Sequence, residues 1–168
     1  MELDGKTVLL TGATGGLGRA IGTALAERGA SLVLTSRKQE ALDELAGSLP
    51  GEHRVVRADL GEDGAPERLA AEAGQVDGLV ANAGLPGTGR VESFSPEELK
   101  RALRVNLEAP MMLARELAPG MSDRGDGHLV FVSSLSGKAP SPRSAVYVAT
   151  KFGPVSYTHL TLPTNREV

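Results

Sequence analysis

The chain has 168 residues, the length of one domain, with 40% hydrophobic and 23% charged residues, the balance of a soluble globular protein. Without a single cysteine it can hold neither a disulfide framework nor a Cys-ligated zinc or iron–sulfur site. Its net charge of −3 comes without any dense Lys/Arg run, so neither nucleic acid nor a membrane surface has an electrostatic footprint. No apolar run reaches the length of a transmembrane helix, and the start at Met1–Lys6 does not read as a signal peptide. The expected setting is the cytoplasm.

In chain order, Lys6–Leu10 is a short apolar run of strand length that opens into a glycine-rich turn. Leu17, Ile21, Ala24 and Leu25 then recur at helical spacing up to Arg28-Gly29. Ser31–Thr35 reads as a second strand, Glu40–Leu49 as a helix, Arg54–Ala58 as a strand, Ala65–Ala73 as a helix and Asp77–Ala81 as a strand. A long helical pattern runs from Pro96 to about Leu117, with Ser95 as N-cap and proline at the first helical position. A turn at Asp123–Gly127 leads into a fifth strand, His128–Val132. Strands that are for the most part apolar throughout and alternate with helices predict an α/β fold, a parallel sheet covered on both faces.

Between the first strand and first helix lies Thr11-Gly12-Ala13-Thr14-Gly15-Gly16-Leu17-Gly18. Glycines here permit positive φ and close backbone approach, and the free N–H groups at the helix start favour an anion such as a pyrophosphate. The spacing TGxxxGxG resembles the short-chain dehydrogenase/reductase family. Gly12, Gly15 and Gly18 also satisfy the TGxxGxxG of its extended branch, so the glycines alone leave the branch open. The resemblance implies a Rossmann-type doubly wound parallel sheet in the order 3-2-1-4-5, incomplete at five strands. Gly12, Thr14, Gly16, Leu17 and Gly18 would then cradle a dinucleotide.

In such sheets an acid about 20 residues beyond the glycine loop accepts the ribose hydroxyls of NAD. Here the second strand ends Ser36-Arg37-Lys38, with no acid before Glu40. A guanidinium and an ammonium suit a 2′-phosphate, which a carboxylate would repel, so NADP(H) is expected over NAD(H). By resemblance, Asp59-Leu60 after the third strand contacts the adenine, and Asn82-Ala83-Gly84 is the family's NAG element beside the cofactor.

Tyr147 and Lys151 stand four residues apart, on one face of a helix, where an ammonium favours the phenolate and so suits proton transfer. Ser134 lies thirteen residues before Tyr147, the spacing of the family's catalytic serine, although Ser133 and Ser136 offer the same chemistry. Asn106 matches the family's helix asparagine, which helps to hold a water against the lysine. The resemblance thus implies hydride transfer between NADP(H) and a small carbonyl or alcohol substrate, such as a ketone or 3-oxoacyl thioester. Tyr147 would exchange the proton, Ser134 polarise the oxygen, Lys151 bind ribose and tune the tyrosine, and Asn106 complete a proton relay, with no metal. Family members often assemble as homo-oligomers through the long helix and the helix of Tyr147. An NAD-dependent alcohol dehydrogenase of the same family and a non-catalytic nucleotide-binding protein remain alternatives, although the latter has no chemical need for Ser134, Tyr147 and Lys151 together.

The resemblance covers about Leu3 to Gly153. Pro154 is expected to interrupt the helix of Tyr147, because a proline removes a helical hydrogen bond. Val155–Thr164 shows no helical pattern, and its codons can be written GTCTCTTATACACATCTGACGCTGCCGACG, like a transposon-end adapter used for sequencing libraries. The expected organisation is a truncated domain over residues 1–153 and a non-native tail over 154–168. The fifth strand should then be an open edge, and the chain as written poorly soluble or inactive.

Overall fold

The computed structural model describes residues 2–161. Five parallel strands, β1 (Thr7–Thr11), β2 (Ser31–Ser36), β3 (His53–Arg57), β4 (Gly78–Ala81) and β5 (His128–Phe131), form one sheet in the order β3-β2-β1-β4-β5. This is the doubly wound, Rossmann-like order that the resemblance implies. Pairing Thr11 with Thr35 and Leu10 with Val80 aligns the carboxyl ends of β2, β1 and β4. The order reverses between β1 and β4, so a crevice opens there beyond the strand ends.

Both faces of the sheet are covered, which is why the middles of its central strands, Val8–Leu10, Leu32–Leu34 and Leu79–Ala81, are continuously apolar. Val8, Leu10, Leu32 and Leu34 pack with Leu42 and Leu45 of α2 (Gln39–Ser48). Helix α1 (Gly16–Ala26) turns Gly18, Gly22 and Ala26 inward. A Cβ on Gly22 would already lie 3.4 Å from Leu10, so the small residues of this helix set how closely it approaches the sheet. On the opposite face Leu9, Val33 and Leu79 meet Leu69 of α3 (Ala65–Ala73) and Leu113, Leu117 and Met121 of α5 (Ala109–Arg124).

The long helix starts as its sequence predicts but is not one continuous α-helix. Helix α4 (Pro96–Leu103) opens on a capping box: the Glu98 N–H donates to Ser95 Oγ at 3.1 Å, and the Ser95 N–H to Glu98 Oε2 at 2.8 Å. Arg104–Glu108 then form a π turn before α5, which runs on to Arg124 and stops at Gly125 with φ +69°. The predicted turn at Asp123–Gly127 therefore begins two residues inside this helix.

Two further expectations meet different outcomes. The last helix, α6 (Ala145–Thr161), does not break at Pro154 but carries it in its interior. A proline deletes one hydrogen bond, here the one to the Thr150 carbonyl, and leaves those on either side. Close packing holds the helix down just before it, since a Cβ on Gly153 would overlap Leu107 of the π turn. Of the predicted tail, residues 162–168 lie outside the described residues. Strand β5, by contrast, is the open edge expected: among the described residues it pairs with β4 alone, and Val130 is 50% exposed. No helix among the described residues is long and apolar enough to cross a membrane.

Leu113 is fully buried between α5 and the sheet, whereas Leu103 is 45% exposed. Leu113→Ala should therefore cost about 3 kcal/mol in urea unfolding, and Leu103→Ala less than about 0.5 kcal/mol.

Candidate active site

The crevice beyond the strand ends is a cleft of about 520 Å³. Every residue expected to bind a dinucleotide lines it except Tyr147 and Lys151: Gly12, Thr14, Gly16, Leu17, Gly18, Ser36, Arg37, Lys38, Asp59, Leu60 and Asn82–Gly84. The glycines are required where they stand. Gly12 has φ +66°, and a Cβ there would come within 2.8 Å of the Ala83 backbone; a Cβ on Gly18 would overlap the Gly12 carbonyl. The start of α1, with its N–H groups open to the cleft, has no side-chain cap.

One wall is tied to the other by Thr11. Its buried hydroxyl accepts the N–H groups of Asn82 and Ala83, both at 3.0 Å. The Asn82 amide returns the tie, donating to the carbonyls of Thr11 at 3.0 Å and Gly12 at 3.2 Å. The NAG element therefore works here as a clamp on the glycine loop.

From there a second set of bonds reaches α6. Asn106, 2% exposed in the π turn, pairs with the backbone of Leu85: its Oδ1 accepts the Leu85 N–H at 2.6 Å and its Nδ2 donates to the Leu85 carbonyl at 2.9 Å. The remaining amide hydrogen goes to Thr150 Oγ1 at 3.1 Å, and the Thr150 hydroxyl donates to the Tyr147 carbonyl at 2.8 Å. Both amide hydrogens of Asn106 are thus committed, so any water it held for Lys151 would bind through an oxygen.

Lys151 is only 4% exposed, its Nζ donating to the Val132 carbonyl at 2.9 Å and lying 5.7 Å from the centre of the Tyr147 ring. Burial pushes its ammonium below the usual lysine range. A Cβ on Gly84 would sit 3.6 Å from both Lys151 Nζ and Asn106 Oδ1, which brings the ammonium up to the end of the cleft wall. Gly87 backs onto Tyr147, where a Cβ would lie 3.0 Å from its backbone nitrogen.

The three neighbouring serines separate into different roles. Ser133 donates to the Lys151 carbonyl at 2.9 Å and so anchors α6. Ser134 Oγ accepts the Ser136 N–H at 3.1 Å, which leaves its own hydrogen to donate. Gly137 brings this turn against α6, since a Cβ would lie 2.6 Å from the Lys151 carbonyl.

Asp59 is engaged by a partner that sequence reading did not find. Arg101 of α4 donates to both its carboxylate oxygens, at 2.8 and 2.7 Å, and the Gly61 N–H adds a third bond at 2.9 Å. Burial alone would raise the Asp59 carboxyl, but the Arg101 and Gly61 hydrogen bonds and the charges of Arg101 and Arg37 hold it below the usual carboxylate range.

Comparison with known proteins bears on this arrangement. Residues 6–163 match the family described as short chain dehydrogenase. The chain belongs to the short-chain dehydrogenase family. It is 39% identical over 157 residues to dehydrogenase/reductase SDR family member 7B of Bos taurus, covering 86% of this chain and 48% of that protein. To the ketoacyl reductase HetN of a Nostoc species it is 36% identical, covering 93% of this chain and 57% of the other. A metagenomic short-chain oxidoreductase solved in complex with NADP superposes with a TM-score of 0.88 at 35% identity, covering 95% of this chain and 76% of that one. The chain spans about half the length of the curated relatives it matches.

The site residues missed by sequence reading are mostly hydroxyls and one cation. Thr11 opens the TGxxxGxG motif, but its tie to Asn82 and Ala83 lies some seventy residues away in the chain; Thr150, which bonds Asn106 and the nearby Tyr147 carbonyl, is hinted at only by its position beside Lys151. Arg101 could have been sought as the cation one turn from the end of a helix that carries Asn106.

Two outcomes test these contacts. Thr11→Val should lose about 2 kcal/mol of stability by stranding two N–H groups, whereas Thr11→Ser should lose less than half as much. For Lys151→Met the pH dependence is the readout. Because folding depresses the lysine's pKa, the parent chain gains stability relative to the variant as pH rises through the folded value toward 10.5.

Proposed function

We propose that this chain carries the cofactor-binding and proton-transferring part of an NADP(H)-dependent carbonyl reductase. The observation that supports this most is Lys151, held with its ammonium buried under Tyr147 and against Gly84 at the end of a cleft whose opposite end carries Arg37 and Lys38. A binding protein has no use for a buried ammonium beside a phenol.

The cleft fits a dinucleotide residue by residue. The N–H groups at the start of α1, with Gly12, Thr14, Gly16, Leu17 and Gly18, would hold the pyrophosphate. Arg37 and Lys38 are exposed and make no ion pair among the described residues, so both are free to take a 2′-phosphate beside Ser36. Asp59 and Leu60 would meet the adenine, and Asn82, Ala83 and Gly84 would flank the nicotinamide half. The NADP in the metagenomic relative favours the same assignment.

When bound, NADP(H) supplies or accepts the hydride at the substrate carbon. In the direction of reduction, the Tyr147 O–H delivers the proton to the carbonyl oxygen as charge builds there. The free hydrogen of Ser134 donates to the same oxygen and orients it. Lys151 stabilises the phenolate that remains and would bind the cofactor ribose. Asn106 fixes Leu85 and Thr150 around the pair, and an oxygen of its own would hold the relay water. The substrate is a small ketone or 3-oxoacyl compound, entering beside Leu85–Arg90. The parent enzyme acts in the cytoplasm as a homo-oligomer, with Leu103, Met111 and Phe152 as exposed apolar positions on the helices that would meet a second copy.

Residues 154–168 are read as non-native, and the parent frame as continuing beyond Gly153 with the elements that cover β5. Sequencing the source DNA around codon 154 tests this, and a genomic read continuing in frame through the tail overturns it. In protein from the continued frame, Tyr147→Phe should lower NADPH-dependent ketone reduction by about 10³-fold while changing NADPH affinity less than about threefold. Loss of NADPH binding with turnover would instead mean that Tyr147 only shapes the site.

A further inference from the structure

Among the described residues, Arg143 is the one non-glycine with a left-handed backbone, at φ +62°. A side chain is strained in that conformation, which glycine adopts freely. Such strain persists only where the surrounding structure enforces it, and it gathers at functional sites. Here the enforcement is visible, since the Arg143 carbonyl accepts the Gly89 N–H at 2.6 Å. Pro140 and Pro142 stiffen the chain that leads into this turn.

The same bond laces the turn before α6 to Leu85–Arg90, the loop beside which the substrate enters. Two residues earlier in that loop, a Cβ on Gly87 would lie 3.0 Å from the Tyr147 nitrogen and 3.3 Å from the Tyr147 Cβ. One short stretch of chain therefore meets Tyr147 at Gly87 and the backbone of Arg143 at Gly89. Arg143 is thereby set at the rim of the site, four residues before the phenol.

This rim is cationic. Residues 85–93 and 133–144 carry Arg90, Lys138 and Arg143 against the single carboxylate of Glu92. Arg90 pairs with Glu92, whereas Lys138 and Arg143 are exposed and form no ion pair among the described residues. In a chain whose net charge is −3, the mouth of the site has the opposite sign.

We propose that Arg143 is a specificity-determining residue, which selects carbonyl substrates bearing an anionic group, carboxylate or phosphate, away from the reacting carbon. The inference rests on the carbonyl-reductase reading and names the substrate class within it. Tyr147 and Ser134 act on the carbonyl oxygen, as they would in any ketone. Arg143, with Lys138 as a second cation, takes the far end of the molecule. The planar fork of a guanidinium suits either anion, because it donates two parallel hydrogen bonds. Glycine at this position would relax the backbone and recognise nothing.

The test uses protein from the continued frame and two matched pairs of 3-oxo compounds. Acetoacetate is paired with ethyl acetoacetate, and acetoacetyl-coenzyme A with the uncharged N-acetylcysteamine thioester. The parent should favour the charged member of at least one pair in kcat/KM, and added salt should erode that preference. Arg143→Gln should raise KM about tenfold for that member, leaving its kcat and the uncharged partner within about threefold. Arg143→Lys, which keeps the charge, should hold KM within about threefold of the parent. Arg143→Gly should lose the preference with a thermal midpoint no lower than the parent's, so that a damaged fold cannot be the cause. The pair that responds identifies the anion: a carboxylate for acetoacetate, a phosphate for the coenzyme A thioester. Equal KM changes for charged and uncharged members, no change at all, or a parent without preference for either charged compound overturns the inference and leaves the reductase reading standing. A parent that reduces no carbonyl compound overturns both.

Discussion

The structure hangs on the hydroxyl of Thr11. At the carboxyl end of the central strand, it accepts two N–H groups from the turn that follows β4, and Asn82 answers with two bonds to the glycine loop. These four bonds lock together the two strands between which the sheet order reverses. They also set the distance across the cleft, because the Cβ that Gly12 lacks would strike Ala83. The glycine loop owes its shape to this clamp as much as to its own flexibility.

From the clamp, position is passed along a continuous line of hydrogen bonds. Asn82 leads through Gly84 to Leu85, whose backbone is paired to Asn106. Asn106 in turn holds Thr150, and Thr150 holds the Tyr147 carbonyl. Ser133 secures the same helix from β5 by bonding the Lys151 carbonyl. The phenol and ammonium are thereby fixed relative to a loop more than a hundred residues away in the chain. Such a line is most sensitive at Asn106 and Thr150, which are buried and whose partners would be left unsatisfied by their loss.

Much of this was legible in the sequence, for physical reasons that also mark where reading stops. Mostly apolar, non-alternating strands announced a sheet covered on both sides, and glycines at a strand–helix junction announced the anion site. Their periods and spacings are local, and local signals survive in a single chain. The contacts that complete the cleft are not local. Asp59 and Arg101 are joined across the fold, and nothing in either neighbourhood points to the other. The choice among Ser133, Ser134 and Ser136 depends on which hydroxyl faces α6 and which caps the turn, which only the folded chain decides. Pro154 misled because the cost of a proline is a property of the residue, whereas its acceptance depends on the packing of Gly153 against Leu107.

The π turn between α4 and α5 has a consequence for how this helix can be read at all. A turn of this kind accommodates one residue more than an α-helix would, which shifts the phase of everything that follows it. Upstream, that phase points Arg101 at the loop after β3; downstream, it points Leu113, Leu117 and Met121 at the sheet. The two halves therefore keep different angular bookkeeping, and a helical wheel drawn through both would blur each of them. Asn106 stands at the seam, so the residue that braces Leu85 and Thr150 also marks where one rotational frame ends and the next begins.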